Sequence, residues 1–306
     1  MALGPDTQGV FAIAPTPFEA NGSLDWASVD SMVGFYERCN VDGLTILGIM
    51  GEAPKLDAAE ALDLVRRVVR RTRLPVIVGV SAPGFAAMRS LARASMEVGA
   101  AAVMVAPTPS LRTDDQIVGY FRAASEAMGE DVPFVLQDYP LSLSVVMTPA
   151  VIRRIAEANP ACFMLKHEDW PGLEKISALR RFEAEGTMRR LSILTGNGGL
   201  FLDFELGRGA DGAMTGYAFP DMLVDLVKLA GAGERDAVHD LFDAHLPYLR
   251  YEQQPGIGLA VRKSVMMRRG AIACDAQRKP GSALSAEARQ EVDYLLQRLS
   301  RRDPGR

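Results

Sequence analysis

The chain has 306 residues, of which 48% are hydrophobic and 24% charged, with a formal net charge of −4. Such a balance belongs to a folded globular protein with a sizeable core and excludes a disordered one. The acidic surplus gives no general electrostatic footing for nucleic acid or an anionic membrane, and neither is expected as a partner.

Along the chain, short apolar, β-rich runs alternate with longer stretches of helical period. The run at 10–14 is followed by a helical pattern at 25–39, and 43–48 by 58–71. The same pairing recurs at 75–80 with 85–98, 101–106 with 115–127, 133–138 with 149–158, 162–167 with 173–184, and 191–195 with 200–206. An eighth unit opens at 211–216 and ends near residue 230. Strands apolar on both faces and separated by amphipathic helices predict a parallel sheet covered by helices. Eight such units predict a closed (β/α)8 TIM barrel over residues 1–230. The dinucleotide fingerprint GxGxxG is absent after the first strand, which argues against an open doubly wound sheet. The glycines at 196, 198 and 199 read as a tight strand-to-helix turn. Residues 231–306 carry further helical patterns at 234–249, 258–269 and 285–299, and read as a helical extension packed on the barrel.

No stretch approaches the roughly 18 uninterrupted apolar residues of a membrane span. The first 25 residues lack a basic start followed by a long apolar run, so no secretory signal is expected. The three cysteines (Cys39, Cys162, Cys274) lie far apart and suggest neither a disulfide framework nor a metal knuckle; the cytoplasm is the expected compartment.

In such a barrel the reacting groups stand at the C-terminal ends of strands. Lys166 is the outstanding candidate. The chain has six lysines, and five (Lys55, Lys175, Lys228, Lys263 and Lys279) fall in polar, helical or loop contexts, whereas Lys166 ends the apolar run Cys162-Phe-Met-Leu-Lys166. An amine drawn into an apolar barrel is costly as a cation unless paired, and as a neutral amine attacks a carbonyl to form a Schiff base. The competing reading is a lysine that snorkels to the rim or pairs with Glu168. His167 follows Lys166 and by strand alternation faces the helices. His239 and His245, six residues apart on a predicted helix, read as surface residues. No HExxH, GxSxG or carboxylate–histidine cluster points to metal or serine chemistry, so neither a metal nor an organic cofactor is expected.

Several motifs then fall in order: Thr16-Pro17-Phe18, Gly48-Ile49-Met50-Gly51-Glu52, Gly79 ending the third run, Gln137-Asp138-Tyr139-Pro140, Leu165-Lys166, and Gly209 to Gly216. With these the chain resembles the dihydrodipicolinate synthase / N-acetylneuraminate lyase superfamily of class I (Schiff-base) lyases, over nearly its whole length. The resemblance implies a TIM barrel, a 2-oxo acid substrate, Lys166 as the Schiff-base lysine and a homo-oligomer, dimer or tetramer. The departures are specific. Where that superfamily carries a threonine of the second-strand motif, the tyrosine of Tyr-Asn-x-Pro and a neighbouring subunit's tyrosine, this chain has Ile49, Gln137 and Pro109. The arginine that follows Tyr-Asn-x-Pro in dihydrodipicolinate synthases is also absent, so that activity is not expected. The pattern is more similar to 2-keto-3-deoxy-L-arabonate dehydratase-like members, through Gln-Asp-x-Pro, Gly212 to Gly216, Phe219-Pro220-Asp221, and Glu252 with Gln254, Gly256 and Ile257.

The implied reaction is dehydration of a 2-keto-3-deoxy sugar acid through Lys166. A pyruvate-dependent aldolase and a non-catalytic 2-oxo-acid or sugar-acid binding protein are the alternatives. With the usual hydroxyls missing, Tyr139, Glu52 and Tyr217, or a water on Gln137, are the candidate proton carriers. The backbone N–H groups at Met50 and Gly51 are candidates for the substrate carboxylate, and Asn197, Thr215 and Tyr217 for its hydroxyls.

Overall fold

The computed structural model describes residues 3–170 and 172–305. Eight parallel strands close into a barrel in chain order: β1 (Gly9–Ile13), β2 (Gly43–Ile46), β3 (Val76–Gly79), β4 (Ala102–Val105), β5 (Phe134–Asp138), β6 (Cys162–His167), β7 (Ser192–Thr195) and β8 (Gly212–Ala213). β8 pairs with β1 through Gly212 opposite Gly9. A Cβ on Gly212 would lie 2.0 Å from the Gly9 carbonyl oxygen, so the last strand can dock on the first only without a side chain there. β8 is shorter than the expected run at 211–216. Its pairing nonetheless continues past Ala213, because Met214 N–H reaches Thr195 O and Ile13 N–H reaches Thr215 O.

Side-chain alternation sorts the strands into two shells. Phe11, Ile13, Ile77, Met104, Val135 and Met164 fill the barrel interior. Val10, Leu44, Val78, Leu136 and Leu165 pack outward against the helices. Burial on both faces explains why the strands read as nearly continuous apolar runs, each such side chain contributing roughly 1.5–3 kcal/mol.

The helices follow from amphipathic period, and some carry side-chain caps. They are α1 (Trp26–Arg38), α2 (Ala58–Arg71), α3 (Phe85–Val98), α4 (Asp114–Met128), α5 (Pro140–Leu143), α6 (Pro149–Ala158), α7 (Leu173–Ala184), α8 (Leu202–Gly207) and α9 (Pro220–Gly231). Asp57 with Glu60, and Thr113 with Gln116, close reciprocal capping boxes on α2 and α4. Two 3-10 turns (Ile49–Gly51 and Ala53–Lys55) and the single-turn α5 follow β2 and β5. These pieces are too short to carry a readable period, and they shape the face where the site lies.

Beyond α9, α10 (Arg235–Glu252) packs on α8 and α9 and carries α11 (Gly258–Arg268) and α12 (Ala286–Arg302). One buried cation ties this extension to the barrel. The Lys263 ammonium, fully buried, donates to Thr16 O and Ala276 O at 2.8 Å each and to Glu52 Oε1 at 2.5 Å. It also stands 4.8 Å over the Phe18 ring. Burial pulls Lys263 below the ordinary lysine pKa, and the Glu52 carboxylate opposes that shift. Glu52 also accepts from Lys55 at 2.7 Å. Removing one partner of a buried pair costs about 3–5 kcal/mol, because a charge stays behind in a dry site. Lys263→Met is therefore expected to lower stability by about 3 kcal/mol, read as a fall in the urea midpoint, and adding Glu52→Gln should recover most of the loss.

Candidate active site

β5 and β6 place their last inward-facing residues side by side, Gln137 opposite Lys166. Two residues on, Glu168 returns to the same face. Lys166 and Glu168 are 5% and 6% exposed. Glu168 Oε2 accepts from Lys166 Nζ at 2.9 Å and from Gln137 Nε2 at 2.7 Å. The turn after β7 makes room for this carboxylate. A Cβ on Gly196 would lie 2.2 Å from Glu168 Cγ, and Asn197 Nδ2 holds the Glu168 carbonyl at 2.9 Å. The result is a buried amine, a buried carboxylate and an amide converging on one oxygen, within the 2.6–3.2 Å over which a proton can pass between partners.

A cleft of about 560 Å³ opens beside this group over the ends of β2 to β5. Its walls include Ile49, Met104, Pro109, Tyr120, Gln137 and Leu143. The three positions where the resemblance would place hydroxyls (Ile49, Pro109, Gln137) thus meet on one cleft. Gln137 belongs to both arrangements, so Glu168 lies one hydrogen bond behind the cleft wall. Tyr139 stands at the start of α5; burial and then the Glu168 carboxylate push its phenol above the usual value, with Arg262 opposing. A phenol so raised keeps its proton and serves as a donor rather than a base.

Other expected site residues are placed elsewhere. Glu52 has a left-handed backbone (φ 56°) and turns away from the barrel into the Lys263–Lys55 anchor, so its carboxylate is committed to fold cohesion. Tyr217 lies three residues past the inward-facing Met214. It therefore points to the outer shell, where its hydroxyl meets His245 Nδ1 at 2.9 Å. His245 itself, expected at the surface, is fully buried, because it bridges Tyr217 and Asp303. His239 is partly exposed and pairs with Asp203 at 3.0 Å. Thr215 Oγ1 accepts the Gly198 N–H at 2.7 Å and ties two strand-end turns together. Asn197 positions Glu168. Gly51 N–H closes its own 3-10 turn on Gly48 O. Met50, which packs against the interior cluster, occupies the start of that turn, where N–H groups lack partners within the turn. Lys175, on α7 as its helical context predicts, is buried like Lys166 and Lys263 because it bridges Asp138 and Asp169 at 2.7 Å each. Glu168 was legible only as a charge partner of Lys166; two-residue alternation past a strand end is the signal that places it inside.

Behind β6 a second polar layer faces the helices. His167, as its parity predicts, points outward, 3.7 Å from Asp138 and 3.2 Å from Gly172 O. Glu205 lies in this layer on α8, and burial pushes its carboxyl from 4.5 up to about 7, partly offset by Thr195 and His167. A carboxyl raised in the fold contributes stability that is full below about pH 4.5 and is lost as pH climbs through about 7. Wild type is thus expected to lose on the order of 3 kcal/mol across that window relative to Glu205→Gln, measured by urea unfolding at pH 4.5 and 8.

The family model described as the dihydrodipicolinate synthetase family matches residues 6–299. Among curated relatives, an L-2-keto-3-deoxyarabonate dehydratase of Azospirillum brasilense is 29% identical over 303 residues, 96% of this chain and 95% of that protein. A 4-hydroxy-tetrahydrodipicolinate synthase of Nitrosococcus oceani is 31% identical over 147 residues, 47% of this chain and 50% of the other. Among solved structures, one described as dihydrodipicolinate synthase from Rhodopseudomonas palustris superposes with a TM-score of 0.96 at 64% identity, covering 97% of this chain and 99% of that one.

Proposed function

The chain belongs to the dihydrodipicolinate synthetase family, and on that footing we propose that it is a Schiff-base lyase that removes water from a 2-keto-3-deoxy sugar acid. The observation that carries the reading is the contact of Lys166, Glu168 and Gln137 inside the barrel, beside a cleft whose three expected hydroxyl positions hold Ile49, Pro109 and Gln137.

The chemistry follows from that contact. Glu168, 2.9 Å from Lys166 Nζ, can take the ammonium proton and free the amine to attack the C2 ketone. Loss of water from the adduct leaves a protonated imine, which draws electrons from C3. A base then removes a C3 proton and the electron pair forms the enamine. The enamine expels the C4 hydroxyl, which leaves as water after taking a proton. Hydrolysis of the imine frees Lys166. Glu168 is the carboxylate in reach of both proton steps, and Gln137 orients it. Tyr139, kept protonated, supplies a hydrogen bond rather than a base. Backbone N–H groups at the start of the Ile49–Gly51 turn receive the C1 carboxylate. No step passes through Glu52, Tyr217 or Thr215.

Dehydratase chemistry is preferred to dihydrodipicolinate synthesis because no hydroxyl stands at positions 49, 109 and 137, although the Rhodopseudomonas palustris structure bears the synthase description. The full-length likeness to the Azospirillum brasilense dehydratase supports the same choice. Assembly as a dimer or tetramer and a cytoplasmic location complete the proposal. The three cysteines are free, and among the described residues no helix is long and apolar enough to cross a membrane.

Incubation with 2-keto-3-deoxypentonate is expected to yield a product lighter by one water. Lys166→Ala should abolish turnover, and Glu168→Gln should lower kcat by about 10²–10⁴ with KM little changed. Release of pyruvate would show an aldolase instead. Absence of turnover with every 2-oxo acid tried would point to a binding protein.

A further inference from the structure

Two donor groups from the C-terminal helices reach the barrel rim and are used by no step above. Arg262, on α11, is 1% exposed. Its Nε donates to Glu252 Oε1 at 2.6 Å. The other oxygen of Glu252 is occupied by the Ala218 N–H at 3.1 Å and the Tyr248 hydroxyl at 2.9 Å. The carboxylate thus fixes the guanidinium by one edge, while its Nη1 is buried without a hydrogen-bond partner. That nitrogen lies against Gly216, two residues past the inward-facing Met214; a Cβ there would come within 1.9 Å of it.

Gln253, next in sequence to Glu252, repeats the arrangement. Its Nε2 is also buried and unpartnered, and lies against Gly198, where a Cβ would come within 2.1 Å. The Gly198 N–H donates to Thr215 Oγ1, so the two glycine-trimmed rims adjoin.

A buried donor left unsatisfied costs about 1–3 kcal/mol, and more when charged. Two such donors side by side, each admitted by a missing side chain, are an expensive arrangement for a fold to keep. Guanidinium and amide N–H groups only donate, so the missing partner must bring acceptor oxygens. Gly198 follows Asn197, which holds the Glu168 carbonyl, so this rim lies beside the Lys166–Glu168 contact.

We infer that Arg262 and Gln253 form the distal end of the substrate site and select a 2-oxo acid that carries hydroxyl or carboxylate oxygens beyond C3. The inference rests on the Schiff-base reading and deepens it. Pyruvate, with only a methyl group beyond its keto carbon, offers these donors nothing. Glu252 is a positioning residue for Arg262 in this arrangement.

The test compares two ligands, 2-keto-3-deoxypentonate as substrate and pyruvate as a competitive inhibitor, in wild type, Arg262→Lys and Gln253→Leu. KM for the longer acid should rise about 10–100-fold in Arg262→Lys and about 3–10-fold in Gln253→Leu, while the pyruvate inhibition constant stays within about twofold. Gln253→Leu leaves the buried Glu252–Arg262 pair intact and keeps the test valid if Arg262→Lys fails to fold. Parallel losses for both ligands, or none for either, would overturn the distal-site assignment while leaving the Schiff-base reading standing. Wild type that neither turns over the longer acid nor is occupied by pyruvate would overturn that reading, and the distal site with it.

Discussion

One carboxylate oxygen organises the site. Glu168 Oε2 holds the Lys166 ammonium on one side and the Gln137 amide on the other, and all three groups are buried. A lysine in a dry barrel needs a counter-charge to be kept there, and a Schiff-base lysine must also shed its proton before it reacts. A single neighbouring carboxylate meets both needs. Much nearby detail serves to keep it in place: Gly196 clears the space for it and Asn197 holds its backbone. Behind the strand, the Lys175 bridge from Asp138 to Asp169 pins the adjoining loop.

On the proposed Schiff-base reading, this arrangement accounts for a chain that has a buried lysine at 166 and no hydroxyl at 49, 109 or 137. Where the resemblance leads one to expect a hydroxyl relay partly lent by a neighbouring subunit, the cleft has Ile49, Pro109 and Gln137, and the proposed reading gives the proton to Glu168 at the strand end that carries the amine. The Lys263–Glu52 pair ties the C-terminal helices to the barrel, and Arg262 and Gln253 lie against the turns that follow β8 and β7.

Much of the barrel was legible because its strands are apolar on both faces and its helices are amphipathic. The run at 162–167 matches β6, and the periods at 58–71, 85–98, 149–158 and 173–184 match α2, α3, α6 and α7. Lys166 was legible for the same reason, as a cation ending an apolar strand. Burial alone would not have singled it out, since Lys175 and Lys263 are hidden by acidic partners distant in sequence. Glu52 and Tyr217 lie away from the Lys166 cluster because position near a strand end does not say which way a loop turns. A left-handed residue after a 3-10 turn sends Glu52 outward, and odd parity from Met214 does the same for Tyr217. Arg262 lies on a helix without a marked apolar face, so its approach to the turn after β8 follows only from the glycine at 216.

The most direct test of the central claim is reduction of the protein with borohydride in the presence of pyruvate, followed by peptide mapping. Three lysines are buried, and the account predicts a stable adduct on the peptide carrying Lys166 and none on those carrying Lys175 or Lys263. An adduct on either of the other two, or no adduct at all, would contradict it.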